Sequence, residues 1–303
     1  MYEKIPNVRQ SEAWKVYMES LIWKCPRISS GTIVNLFKTP LNFFNFGKIQ
    51  KPFNLSASDL KEIDDICIEN RVKFMKLEPN SNQSVDEIYE NGFIDSNMPL
   101  SPSVTAYTDL TKSTDELWGA LSRSGKYGVN RAKRENTRVE SFVNPKDGIL
   151  NDFYKTHRQT SKRNKFMSRG FDDLQKRRDA FGDESYLLMV YDGEGNLSGG
   201  KFFLGNGEMT LFACGGTTDV GRKNRSGFAL TWESIVYFKE RGYKIMDLEG
   251  MYDPRFPKDY KGWEGFTEFK RKFSPVEVVF HKPFIKYYNP VFRFISRFVD
   301  IPF

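Results

Sequence analysis

The chain has 303 residues, 39% hydrophobic and 28% charged, the proportions of a globular protein with room for two domains. Lysine and arginine number 46 against 39 acidic residues, a formal charge of +7, which favours an anionic partner: nucleic acid, a nucleotide-linked substrate or an anionic membrane face. Only two histidines (His157, His281) and three scattered cysteines (Cys25, Cys67, Cys214) are present, which argues against a histidine-based triad, a histidine-rich metal site or a disulfide framework, and fits a reducing compartment.

Residues 1–9 are polar rather than a secretory leader, and no apolar run approaches the ~20 residues that span a bilayer. The spacing of Trp14, Val16, Leu21 and Trp23 predicts a helix over 10–24. Residues 31–46 read as a hairpin turning at Lys38-Thr39-Pro40, followed by a basic loop at 47–52. Ser56 and Asp59 form a capping box for a helix whose apolar face is Leu60, Ile63, Ile66 and Cys67. A strand at 72–77 ends in Glu78-Pro79, read as structural, and a short helix and loop occupy 81–97.

The second half opens with a strand at 103–110. Ser113 to Glu116 cap a helix carrying Leu117, Trp118 and Leu121, and a basic helical stretch follows from Arg123 to Arg138. Helices are expected at 150–163 and 171–181, the latter basic at Lys176, Arg177 and Arg178. Asp192-Gly193 and Asn206-Gly207 mark turns between three strands at 186–191, 199–204 and 208–214. A helix from Gly227 is stopped by Gly242, and a strand at 243–248 leads to Glu249-Gly250. After a loop rich in Pro, Gly, Asp and Lys, residues 265–273 (Gly-Phe-Thr-Glu-Phe-Lys-Arg-Lys-Phe) are read as a further strand.

Two stretches echo each other: a helix, then Asn70 to Glu78, and a helix, then Glu240 to Glu249. Each delivers an acidic residue at a strand end, in two halves of domain size. The whole predicts an α/β chain of mixed sheets, splayed and crossed by a helix in the manner of an acetyltransferase. A helix feeding a strand, a loop and the Phe269-Lys270-x-x-Phe273 segment suits an acyl-transfer site.

The ordered set of Gln10-Ser-x-x-Trp14, Phe74 to Pro79, Thr105 to Leu110, the basic helix 122–138, Phe153-Tyr-x-x-x-x-x-Thr160-x-x-Arg163, Gly227 to Ile235, Asp247-Leu-x-Gly250 and Phe269-Lys-x-x-Phe273 resembles the FemABX family of aminoacyl-tRNA-dependent peptidyltransferases. The resemblance implies two tandem acetyltransferase-like (GNAT-like) domains, residues 1–102 plus 280–303 and residues 103–279, without the helical arm of some members. It implies a cytoplasmic acyltransferase that moves an amino acid from aminoacyl-tRNA to an amine of a nucleotide-linked or lipid-linked peptidoglycan precursor. No metal or other cofactor is expected, aminoacyl-tRNA being the co-substrate.

In this resemblance Lys270 is the catalytic-site lysine, stabilising a developing oxyanion, with the Phe269 carbonyl positioning the attacking amine. Arg169 takes the place of an arginine for the precursor's phosphates, with Arg163 nearby. A phosphate-binding lysine of the first helix is replaced by Met18, and Lys15 and Lys24 are its nearest substitutes. Asp247 and Glu249 are candidate acceptors for the incoming ammonium or a weak base, or are structural acids at a strand end. The basic stretches 123–138 and 176–178 suit a tRNA acceptor arm or phosphates, or are solvated helix faces. The aromatic and basic end, 284–303, packs on the first domain or touches the inner membrane face.

Two other readings compete. One is an acyl-CoA-dependent N-acyltransferase acting on a polysaccharide amino sugar or small amine, with Gly215-Gly216 and Gly221 to Gly227 as its pyrophosphate loop. The other is a non-catalytic module that binds RNA or precursor through the basic face.

Overall fold

The computed structural model describes residues 4–40 and 43–295. Residues 41–42 of the expected hairpin and residues 296–303 of the expected C-terminal segment therefore lie outside the described residues. The chain divides into two compact units. The first comprises residues 1–105, 250–261 and 278–303, and the second residues 106–249 and 262–277.

In chain order the first unit opens with α1 (Glu12–Ser20), β1 (Trp23–Lys24), β2 (Asn35–Phe37) and β3 (Phe46–Gln50). It continues with α2 (Ala57–Glu69), β4 (Phe74–Glu78), α3 (Val85–Glu90) and β5 (Ile94–Asp95). Next come β6 (Val104–Asp109), α4 (Thr114–Ala120), α5 (Arg123–Arg134), β7 (Arg138–Val143), α6 (Asp147–Asn164) and α7 (Phe171–Phe181). Then follow β8 (Ser185–Tyr191), β9 (Leu197–Gly205), β10 (Met209–Thr217), α8 (Asp219–Lys223), α9 (Ser226–Glu240) and β11 (Ile245–Gly250). The chain ends with α10 (Glu264–Arg271), β12 (Val276–Val279), β13 (Phe284–Tyr287) and α11 (Pro290–Ile295).

The first sheet has the strand order β1-β2-β3-β4-β13-β5. Its β3 and β4 run parallel, in register from Phe46 opposite Phe74 to Gln50 opposite Glu78. The crossover between them is α2, which starts at a capping box: Ser56 accepts from the Asp59 amide, and the Asp59 carboxylate accepts from the Ser56 amide. Leu60, Ile63 and Cys67 of α2 bury against Leu36, Ile49, Met75 and Leu77 of the sheet. Glu78 is buried and fully occupied, accepting from the amides of Leu100 and Ser101, the Ser101 hydroxyl and the Gln50 amide. That occupancy makes it a tie at a strand end rather than a reactive acid.

The second sheet is ordered β12-β6-β11-β10-β9-β8-β7. From β7 to β10 the strands are antiparallel, and β10 pairs in parallel with β11 across the crossover α9. The echo in the sequence is thus a βαβ crossover repeated in each unit. The fold is α/β with two mixed sheets.

Several boundaries differ from expectation. Residues 47–50 complete β3 rather than forming a loop, because Gly47, Ile49 and Gln50 are buried in register with β4. The basic helix stops at Arg134, and Arg138 begins the unforeseen β7. Residues 264–271 form a helix, not a strand. Phe266, Phe269, Lys270 and Phe273 recur at spacings of three and four, the helical period, and Phe269 and Phe273 both pack against Phe228 of α9, the former edge to face. At the C-terminal end, 284–287 form a strand between β4 and β5 rather than a helix face.

Candidate active site

The site lies where the parallel pair of the second unit comes apart. β10 and β11 are in register from Met209 opposite Ile245 to Leu211 opposite Asp247. Beyond that point β10 carries a bulge between Phe212 and Cys214 and continues alongside β9 alone as far as Thr217. The first residues past the last paired position, Phe212 and Leu248, line a pocket with Lys201, Thr231, Phe266, Phe269 and Lys270. A gap at the carboxyl ends of parallel strands is a recurrent place for ligands in such sheets.

β11 ends in a tight turn. Asp247 is buried, and its carboxylate accepts from the Glu249 amide at 2.7 Å. This holds Glu249 in the left-handed region at φ 63°, an uncommon conformation for a residue with a side chain. The turn aims the Glu249 carbonyl at α10, where it accepts from Lys270 Nζ at 2.8 Å. Lys270 is only 2% exposed, and its amine sits 3.9 Å from the centre of the Phe266 ring. Phe266 itself is 42% exposed and marks the open side of the pocket.

Opposite lies Lys201 of β9, half-buried as a residue but with its amine enclosed. Its Nζ donates to Thr231 Oγ1 at 2.6 Å and lies 5.2 and 5.8 Å from the Phe212 and Phe269 rings. Desolvation pushes both lysines down from the usual range to about 7. For Lys201 the neighbouring Lys270 charge adds to that effect, whereas the carboxylates of Glu249 and Asp247 oppose it for Lys270. The charges around Lys270 thus favour its ammonium form, and the charge beside Lys201 disfavours its own.

Backbone room comes from two glycines. Gly215 faces Lys201 across the β9–β10 ladder, and a Cβ there would stand 2.9 Å from the Phe212 ring. At Gly216 a Cβ would meet the His157 backbone at 2.7 Å, so α6 lies directly on β10. His157 is buried in that contact, its Nδ1 2.7 Å from the Gly215 carbonyl, and desolvation lowers its pKa.

The sequence candidates are dispersed. Lys270, Asp247 and Glu249 meet at the pocket, the acids by forming the turn and the electrostatic surroundings of the lysine. Phe269 contributes its ring, while its carbonyl accepts from the Lys272 amide in the last turn of α10. Arg163 is anchored at the end of β10, donating to the Thr217 carbonyl and to Asp219. Arg169 is exposed and pairs with Asp173 at 3.1 Å. Lys15 belongs to the first unit and pairs with Glu12, and Met18 is buried in α1. Arg177 and Arg178 are paired with Asp173, Asp147 and Asp179. On α5, Gly125, Gly128, Val129 and Ala132 are buried while Arg123, Lys133 and Arg134 are exposed.

Sequence reasoning missed Lys201, Thr231, Phe212, Leu248 and Phe266. The available signal was a single lysine inside the apolar run Gly199 to Leu204.

Comparison with known proteins agrees with this architecture. Residues 91–192 match the model of the FemAB family. No curated protein sequence matches the chain. Among solved structures, FemX superposes with a TM-score of 0.82 at 15% identity, covering 97% of this chain and 96% of its own. L-PGS from Bacillus licheniformis gives a TM-score of 0.63 at 14% identity, covering 94% and 91%. A tandem GNAT protein from the clavulanic acid biosynthesis pathway gives 0.51 at 10% identity, covering 94% and 91%. The solved structures show the fold, two acetyltransferase-like sheets in tandem, and residues 91–192 carry the likeness to the FemAB family.

Proposed function

We propose that this chain is an acyltransferase that moves an amino acid from aminoacyl-tRNA to an amine on a peptidoglycan precursor, forming an amide at the β10–β11 gap. The observation that carries the reading is Lys270: a buried amine, held by a backbone carbonyl, at the place where the parallel strands part. As the amine attacks the aminoacyl ester, charge collects on the carbonyl oxygen. The Lys270 ammonium, favoured by the carboxylates of Glu249 and Asp247, stabilises that oxyanion in surroundings poor in water. The aromatic walls Phe212, Phe266 and Phe269 exclude water that would hydrolyse the ester. No metal or redox cofactor enters this scheme. The reaction is placed in the cytoplasm, with either a nucleotide-linked or a lipid-linked acceptor. Among the described residues no helix is long and apolar enough to cross a membrane.

A second reading, with acyl-CoA as donor, rests on the start of α9. That helix has no side-chain cap, its preceding residue Arg225 is left-handed at φ 61°, and the buried Ser226 hydroxyl has no hydrogen-bond partner. Such a helix start suits phosphate.

The test is transfer of radiolabelled amino acids from a mixed aminoacyl-tRNA pool to nucleotide-linked and lipid-linked pentapeptide precursors, with wild type and Lys270→Met in parallel. Label reaching the precursor with wild type and lost in the variant supports the reading. Consumption of acyl-CoA without transfer from any tRNA supports the second.

A further inference from the structure

The pocket holds more lysine chemistry than oxyanion stabilisation uses. Placing a second amine in an enclosed aromatic pocket beside Lys270 is costly, because two ammonium groups repel and neither is well solvated. The surroundings of the two amines differ. Lys270 has a carbonyl acceptor from Glu249 and two carboxylates on β11. Lys201 meets a hydroxyl from α9, a ring from β10, a ring from α10 and the Lys270 charge, and the residue beside it on β8 is Leu188.

The hydroxyl fixes the direction of the hydrogen bond. Thr231 Oγ1 donates to the Gly227 carbonyl at 2.7 Å, so towards Lys201 it accepts. A neutral Lys201 amine therefore uses one N–H on Thr231 and keeps its lone pair for the pocket. Two like groups whose neighbours act on their charge in opposite directions, one held by a carbonyl beside carboxylates and the other by a hydroxyl beside a cation, are suited to serve as acid and base.

We propose that Lys201 is a second catalytic residue, the base that takes the proton from the attacking amine and hands it to the departing oxygen. This rests on acyl transfer to an amine, whichever donor supplies the acyl group. The amine nitrogen forms a bond to the ester carbonyl carbon, and Lys270 meets the resulting oxyanion. The nitrogen's surplus proton passes to the Lys201 amine. The carbon–oxygen bond to the tRNA ribose then breaks, and the Lys201 ammonium protonates that oxygen as a hydroxyl. Amine and ester become amide and alcohol, one proton having moved from nitrogen to oxygen, and Lys201 returns to its neutral form.

The experiment compares wild type, Lys201→Met, Lys201→Arg and Thr231→Val in the radiolabel assay, measuring kcat, KM and the pH dependence of kcat. Lys201→Met is expected to lower kcat by about 10²–10⁴-fold with little change in KM, and to abolish the acidic limb of the profile near pH 7. Lys201→Arg, which stays charged, is not expected to rescue. Thr231→Val keeps the base but removes the acceptor that favours its ammonium form. Its acidic limb is expected at lower pH, with kcat down about tenfold. That variant carries the test if Lys201→Met does not fold.

Wild-type transfer with unchanged kcat and pH profile in Lys201→Met, or in Thr231→Val where only that variant folds, overturns the role of Lys201 and leaves the acyl-transfer reading standing. Transfer from acyl-CoA alone replaces the donor, and the same comparison on that substrate then decides Lys201. Wild type transferring from neither donor overturns both.

Discussion

At the scale of single residues, charge and burial make opposite demands on the two lysines. Lys270→Met removes the proposed partner of the oxyanion and is expected to lower kcat/KM by about 10²–10³-fold, measured by precursor labelling. Lys201→Met has a separate consequence for stability. Lysine in an unfolded chain titrates near 10.4, whereas Lys201 in the folded chain titrates at about 7. Between those pH values the unfolded chain binds a proton that the folded chain does not, so stability from this group rises with pH. Below about pH 7 the burden of enclosure is fully present. The variant is therefore expected to melt above wild type at pH 6–7, with the gap closing towards pH 10, in thermal denaturation followed by circular dichroism. A protein that gains stability while losing turnover is one whose site strains the fold that carries it.

Among elements, the decisive contact is helix on strand. Gly216→Ala places a methyl group against the His157 backbone and must push α6 off β10. The expected cost is about 1–3 kcal/mol in denaturant unfolding. Elements whose signals are local were readable from sequence. The capping boxes at Ser56 and Ser113 mark the starts of α2 and α4, and the Asp-Gly and Asn-Gly turns delimit β8, β9 and β10. The strand expected at 265–273 passes over a local signal that the sequence does carry: Phe266, Phe269 and Phe273 stand three and four apart, the helical period. The candidate site was legible only where a motif named it. Lys270 was found by its neighbours in sequence, but the turn that orients it depends on φ at Glu249, which no residue type announces. Lys201 was invisible because its partners, Thr231 and the Phe269 ring, reach it only after β9, α9 and α10 have packed.

For the molecule as a whole, the repeated βαβ crossover was foreshadowed by the paired stretches around Glu78 and Glu249, whereas the division of residues between the units follows from tertiary contact. The positive charge of +7 has its own signature. Much of the charge on α7 is answered by aspartates, while α5 exposes Arg123, Lys133 and Arg134. With aminoacyl-tRNA as the proposed donor, its affinity is expected to fall linearly on a log–log plot against salt, by about 0.7–0.9 in slope for each phosphate contacted. Replacing those three residues with alanine is expected to flatten the slope in filter binding while leaving kcat at saturating tRNA unchanged.

The oxygen that holds Lys270 is part of the peptide bond rather than the side chain of Glu249. No point substitution at position 249 deletes that acceptor. What substitution can disturb is the left-handed turn that aims it. Glycine and asparagine tolerate that conformation, and β-branched residues do not. Drift at this position is therefore filtered twice, by backbone shape for the carbonyl that anchors Lys270 and by charge for the carboxylate that favours its ammonium form.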